Sequence, residues 1–267
     1  MSIITISRGS YSRGKEVAEK VARELGYTCL SRDQIIEEAS DEFNIPEVKL
    51  IRAIRNAPSI LDRFTYGKQR FVAYFQAALL SHLRADNAVY HGLAGHFFLK
   101  GLSHVLKVRI IADMEQRAKL EMERTGSSYQ EALQNLKRDD EERKRWSRHL
   151  YDLDTMDPSL YDLVIHIKKI DVDDAVGLIC QTVRSENFQT TPESQQVMED
   201  LVISSGVKAA LISLKPDIEV SANEGRVFVK TKALVSQRAS LSQQITKAAE
   251  AIPGVRSIEI DIKSMTP

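Results

Sequence analysis

Cysteine is scarce in this chain. Cys29 and Cys180 are the only two in 267 residues, and their separation forms neither a metal-ligand spacing nor a redox pair. A disulfide framework is thereby excluded, and two reduced, buried thiols fit the cytoplasm, where the chain is expected to reside. Neither sign of charge is in excess, because 37 Lys and Arg balance 37 Asp and Glu. No overall field therefore draws the chain to nucleic acid or to an anionic membrane. Long apolar runs are missing as well. The opening Met1-Ser2-Ile3-Ile4-Thr5-Ile6-Ser7-Arg8 is too short for a signal-peptide core, and no later run approaches the roughly 20 apolar residues of a membrane span. Association with a membrane is not expected.

The length suits two domains better than one. Ile3 to Ser7 reads as a short strand, and the loop Gly9-Ser10-Tyr11-Ser12-Arg13-Gly14-Lys15 follows at once. Val17, Ala18, Val21, Ala22 and Leu25 then recur at helical spacing up to a Gly26 cap. Residues 34 to 86 are mostly helical in pattern, punctuated by Pro46 and Pro58. Ala88-Val89-Tyr90 predicts a second strand entering the turn Gly92-Leu93-Ala94-Gly95; Val105 to Ile111 predicts a third. Helical patterns cover Met114 to Arg124 and Ser128 to Leu136 before a highly charged segment, Lys137 to His149. Leu163 to Ile167 reads as a fourth strand and Val172 to Val183 as a helix. Strands alternating with helices imply an α/β fold, a parallel sheet flanked by helices.

At residues 185–195 the composition shifts to Ser, Gln, Thr, Asn and Pro, which predicts a linker between a domain at 1–184 and a smaller one at 196–267. The second part reads helix, strand, hairpin turn at Asn223-Glu224-Gly225, strand, helix, strand, an α+β module.

Gly9-x-x-x-x-Gly14-Lys15 has the spacing of a phosphate loop. Glycines let backbone N–H groups converge on an anion, and the helix that follows adds its positive end. Gly9, Ser10, Tyr11, Ser12, Arg13, Gly14, Lys15 and Glu16 are the candidate phosphate-binding residues, with Lys15 reaching the β and γ phosphates. Glu16 stands where the general motif has Ser or Thr for magnesium. The competing reading is an ordinary strand-to-helix turn with Lys15 in solvent. In the charged segment, Arg138, Arg143 and Arg148 recur every five residues, which is not one helical face. A lid whose guanidinium groups close over a transferring phosphoryl group fits them. So does a solvated helix laced with Glu–Arg pairs.

Ile4-Thr5-Ile6-Ser7-Arg8 through Gly14-Lys15-Glu16-Val17-Ala18 resembles the opening of the cytidylate-kinase-like family, in which a glutamate at the position of Glu16 is usual. Leu25-Gly26-Tyr27 with Ser31-Arg32-Asp33, then Val108 to Ala112 with Glu115 and Arg117, then Asp140, Arg143, Arg148, Asp154 and Asp157-Pro158 are similar to the family's later segments in the same order. The resemblance implies a phosphate-loop nucleoside-monophosphate-kinase fold with a helical lid. It also implies ATP and Mg2+ as cofactors and a nucleotide substrate. Lys15, Arg143, Arg148 and Asp140 are its implied catalytic residues, with Asp140 orienting the arginines and Arg138 helping to bind the donor. Arg32, Asp33, His91 and Gly92 would face the acceptor, although Ser31-Arg32-Asp33 also reads as a plain helix cap. The family's arginine after the second strand is absent, since Leu93 stands there; His91 and His96 are the candidate substitutes. His166 replaces a usual asparagine. Residues 198 to 264 resemble a BON domain through Val207 to Leu211, Ile218-Glu219-Val220, Gly225-Arg226-Val227 and Ile252-Pro253-Gly254-Val255-Arg256. That resemblance implies a protein partner or self-association. The alternative to a kinase is a nucleotide-binding sensor that has lost catalysis, its BON-like module contacting a partner.

Overall fold

A computed structural model describes residues 1–46, 65–92, 95–99, 101–151 and 153–264. The element order is β1 (Ile3–Arg8), α1 (Gly14–Leu25), β2 (Thr28–Ser31), α2 (Arg32–Glu42), α3 (Thr65–Leu83), β3 (Ala88–His91) and α4 (Gly95–Phe98). It continues with β4 (Val105–Ala112), α5 (Met114–Thr125), α6 (Tyr129–Tyr151), β5 (Leu163–Ile167), α7 (Val172–Val183) and α8 (Pro192–Leu211). The last elements are β6 (Glu219–Asn223), β7 (Arg226–Ala233), α9 (Arg238–Glu250) and β8 (Ser257–Ser264).

Five strands pair in the order β2-β3-β1-β4-β5, every pairing parallel. The fully buried Ile3, Ile4 and Ile6 put β1 at the centre, as expected of a strand covered on both faces. Ile4, Ile6, Leu106, Val108 and Ile110 form one core cluster with Val17, Ala18 and Val21 of α1 and Val176, Ile179 and Val183 of α7. Residues one step along each strand, such as Ser7 and Arg109, point to the opposite face. β2 was not foreseen. Thr28-Cys29-Leu30-Ser31 is too short for a period-two signal, and its place is set by the end of α1. Gly26 takes φ 68°, and the Tyr27 N–H returns to the Ala22 carbonyl at 2.8 Å, a Schellman cap that turns the chain straight into the sheet.

The smaller sheet has the order β6-β7-β8, with β6 antiparallel and β8 parallel to β7. Glu224 (φ 51°) and Gly225 (φ 76°) make a two-residue turn between Asn223 and Arg226, and positive φ at both positions matches the right-handed twist of the flanking strands. Asp200 on α8 accepts from both turn amides, at 2.9 and 3.0 Å.

Two compact units divide the chain at other places than the sequence suggested. The described residues within 36–55 and 61–84 fall with 191–267, and the rest of the described chain up to Thr190 forms the first unit. The reason is packing: Ala73, Tyr74 and Ala77 of α3 bury against Ala209 and Ile212, and the Tyr74 hydroxyl meets Ser213 Oγ at 2.9 Å. A boundary confined to 185–195 would cut through that cluster. The expected linker is itself engaged. Thr190 donates from its amide to the Met1 carbonyl at 2.9 Å and from its hydroxyl to Asp86 at 2.7 Å. α8 then begins at Pro192, with Thr191 and Ser194 capping each other. The Pro58 and Leu93-Ala94 readings lie outside the described residues.

Candidate active site

The loop between β1 and α1 lies at the carboxyl end of the sheet's central strand, where open α/β sheets place their ligands. Tyr11 and Arg13 adopt φ 57° and 62°, the left-handed region that favours glycine. Their backbone therefore takes up the shape of a glycine loop although the side chains are large. Neighbouring groups hold it there. Ser12 Oγ donates to the Gly9 carbonyl at 3.1 Å. The Tyr11 ring packs with Ala118, Ala132 and Leu136 on the α5–α6 hairpin, and the Arg124 guanidinium lies 5.4 Å from its centroid.

Arg117 on α5 is the principal anchor. It is buried, donates from Nε to the Ser10 carbonyl at 2.7 Å, and forms a bidentate pair with Asp140 on α6 at 2.8 and 2.9 Å. A Cβ on Gly9 would sit 3.3 Å from the guanidinium carbon of Arg117, so glycine at that position lets the arginine lie flat on the loop. Arg143, one turn along α6 from Asp140, donates to the Arg8 carbonyl at 2.8 Å. Arg8 in turn lies over Gly14, where an added Cβ would come within 2.6 Å of its own Cβ. Burial and the Arg32 charge lower the Arg8 pKa; burial and the Arg8 charge lower that of Arg143. Arg8 makes no ion pair among the described residues, and its Nε is buried without a partner. Arg8, Arg32 and Arg143 thus lie within electrostatic reach of one another beside the loop, with Asp33, Asp139 and Asp140 offsetting part of that charge, and the buried, unpaired Arg8 is suited to an anion.

Of the expected residues, the structure groups the loop Gly9–Glu16 with Arg143. Asp140 orients Arg117 rather than the lid arginines. Lys15 is 64% exposed at its side chain and 3.6 Å from Glu19, and Glu16 pairs with Arg13 and Lys20 at 3.5 and 3.8 Å. Arg148 pairs with Asp154 at 2.7 Å, and Arg138 donates to Asn135 one turn back at 3.3 Å. Both are thus engaged by side chains on or just beyond α6, neither through a Glu–Arg pair. The charged segment is part of one 23-residue helix, α6, with its arginines on different faces.

On the acceptor side, Arg32 opens α2 and pairs with Asp33 at 2.7 Å, while Ser31 and Gln34 cap the helix reciprocally at 2.8 and 3.3 Å. An added Cβ on Gly92 would meet the Tyr90 hydroxyl at 2.6 Å and Arg32 Cβ at 2.9 Å, so these residues adjoin. Burial, and after it the Arg8 charge, lowers the pKa of His91 to about 4; burial with Lys107 and Arg109 lowers that of His96 to about 3. Both imidazoles are neutral at physiological pH. Neither, then, supplies the positive charge of an arginine. His166 pairs with Asp113 at 3.0 Å beside Lys168. Arg8 and Arg117 are not among the expected site residues; an arginine directly before the glycine loop was the available signal for Arg8, while Arg117 reaches the loop across 107 residues and gave none. No cluster of three metal-ligating side chains occurs among the described residues.

Residues 3–169 match the cytidylate kinase-like family. A cytidylate kinase of Ignicoccus hospitalis is 27% identical over 169 residues, covering 62% of this chain and 90% of the relative. One from Pyrobaculum aerophilum is 23% identical over 178 residues, covering 67% and 90%. The crystal structure of an uncharacterized protein from Eubacterium ventriosum superposes with a TM-score of 0.54 at 24% identity, over 70% of this chain and all of that one. It shares the fold.

Proposed function

The chain belongs to the cytidylate kinase-like family, and from that premise we propose that it transfers a phosphoryl group from the ATP–magnesium complex to a nucleoside monophosphate or a related small acceptor. The observation that carries the proposal is the pair of backbone contacts from the α5–α6 hairpin to the loop, Arg117 to the Ser10 carbonyl and Arg143 to the Arg8 carbonyl. Phosphoryl transfer asks the protein chiefly to position charge around the transferring oxygens. Arginines fixed to the loop backbone, in front of a helix amino terminus, supply that.

In this reading the loop amides and Gly14 hold the donor phosphates. Lys15 leaves Glu19 and moves onto them. Arg143, with Arg8 beside it, faces the transferring group, and Arg148 and Arg138 join from α6 when nucleotide is present. Arg117 and Asp140 are positioning residues for the loop. Arg32, Asp33, His91 and Gly92 line the acceptor side, with His91 offering hydrogen bonds and no charge. Magnesium arrives on the nucleotide, and no step is assigned to a protein-bound ion. We place this machinery in the parts of 1–184 that belong to the first unit, with 185–195 as the polar segment that leads into α8. Residues 196–267 are proposed to be a BON-like module for a protein partner or self-association, a reading that the order α8-β6-β7-α9-β8 supports.

The test is turnover. Purified protein with ATP, magnesium and a panel of monophosphates is expected to give ADP and a diphosphate, and Lys15→Ala to lower kcat/KM by about a hundredfold or more. Nucleotide-dependent stabilisation with no product from any acceptor would overturn the catalytic reading. An unchanged rate in Lys15→Ala would remove that residue from it.

A further inference from the structure

β4 carries one buried charge on the sheet face away from α1. Arg109 is 9% exposed. Its guanidinium has no carboxylate partner among the described residues. It donates instead to the Tyr161 hydroxyl at 3.2 Å and to the Met156 thioether at 2.9 Å. A thioether is a weak acceptor, and a buried cation without a counter-charge is unfavourable unless something else neutralises it. The Tyr161 hydroxyl lies 3.3 Å from Ser7 Oγ and 3.0 Å from the Thr155 carbonyl. The His96 ring is 4.9 Å from the Tyr161 ring, and its Nε2 is buried without a partner. Orphaned polar atoms of this kind mark places where a native structure expects a further group. The cover over Arg109 is also reached by solvent, since Met156 is 61% exposed.

The site is distinct from the donor loop. Ser7 and Arg109 are register partners on β1 and β4, whereas the neighbouring Arg8 turns to the other face and lies over Gly14. The charge balance limits what fits. The Lys107 charge also reaches His96, but Arg109 alone has its guanidinium within hydrogen-bonding distance of the site's hydroxyl, so one negative charge is directly paired and a second would stay buried without a direct partner. The planar fork of Arg109 suits two oxygens of one group.

We propose that Arg109, flanked by Tyr161, Ser7 and His96, binds an oxyanion carrying a single negative charge, a carboxylate or a phosphate monoanion, which displaces Met156 Sδ. The proposal stands apart from the kinase reading, because it needs neither ATP nor turnover.

The experiment is thermal unfolding of the full chain at fixed ionic strength, with acetate or inorganic phosphate replacing chloride at pH 6 and pH 8. Wild type and Lys15→Ala are both expected to gain stability with acetate, and Arg109→Met to gain none; that result identifies a carboxylate site. A phosphate-induced gain larger at pH 6 than at pH 8, and lost in Arg109→Met, identifies the monoanion. No gain with either anion, or the same gain in Arg109→Met, overturns the proposal. If Arg109→Met does not fold, Tyr161→Phe and Arg109→Lys decide the matter. Each is expected to weaken anion binding at least about threefold, the loss of one hydrogen bond or of the bidentate fork, and wild-type affinity in both refutes the site.

Discussion

Replacing Arg117 with methionine tests whether the α5–α6 hairpin holds the loop in its binding shape. The methionine fills much of the buried volume but removes three charge-assisted hydrogen bonds, two to Asp140 and one to the Ser10 carbonyl. Truncating one partner of a buried ion pair typically costs 3–5 kcal/mol, because the other charge is left without compensation. Asp140 is 35% exposed at its side chain, so water recovers part of its solvation. A loss of about 2–3 kcal/mol in unfolding free energy is therefore expected. Part of that energy now keeps Tyr11 and Arg13 at positive φ, a backbone state that costs non-glycine residues about 1–2 kcal/mol each. With Arg117 gone the loop relaxes, and ATP affinity is expected to fall about tenfold, the equivalent of 1.4 kcal/mol. Urea unfolding of wild type, Arg117→Met, Asp140→Leu and the double variant reads the first quantity, and calorimetric titration with ATP the second. The double variant is expected to be more stable than the sum of the singles implies, by about 1 kcal/mol or more, since each single variant leaves the other charge without its partner and the double variant leaves neither. Strict additivity, or stability and affinity within experimental error of wild type in Arg117→Met, would refute the anchoring role.

Two further outcomes follow from the same geometry. The unfolded chain protonates His91 and His96 near their ordinary value of 6.5, while the folded chain keeps them neutral down to about 4 and about 3. Between those limits the unfolded state binds more protons, so stability present at pH 7 is lost as the pH falls, by at most about 3 kcal/mol for His91. Unfolding at pH 7.5 and 4.5 measures this, and His91→Gln should flatten the dependence; an identical pH slope in the variant would exclude His91 as its source. Gly225→Ala puts a Cβ 2.7 Å from the Gly254 carbonyl at φ 76°, and is expected to destabilise the second unit by about 1–3 kcal/mol, read by thermal unfolding. A midpoint equal to wild type would show that the hairpin accommodates the change.

Much of the sheet was legible because its signals are local. β1, β3, β4 and β5 are runs of β-branched and apolar residues, and each of α1 and α7 repeats its apolar face at helical spacing within 12 residues. The loop was legible from two glycines and a lysine at a fixed spacing. The assignment of α3 to the second unit was not, because the contacts of Ala73 and Tyr74 with Ala209 and Ile212 span more than a hundred residues. A composition shift at 185–195 marks where the chain is polar, which need not be where the core divides.

The site residues divide along the same line. Arginines that repeat in a charged segment drew attention, yet two of the three are satisfied within or near their own helix: Arg138 by Asn135 and Arg148 by Asp154. Two of those beside the loop and sheet, Arg8 and Arg109, stand in largely apolar surroundings. Arg8 ends a buried strand and Arg109 interrupts Val105-Leu106-Lys107-Val108 and Ile110-Ile111, whereas Arg117 lies in a charge-rich helix and its burial rests on the distant Ser10 and Asp140. A solvated charge has many inexpensive environments, so its presence in a charge-rich stretch carries little information. A charge inside an apolar pattern has few, because desolvation must be offset by a partner or by a ligand. For Arg117 the structure supplies the partner in Asp140. For Arg8 and Arg109 the described residues supply no carboxylate contact, and those two positions are accordingly where bound anions are expected.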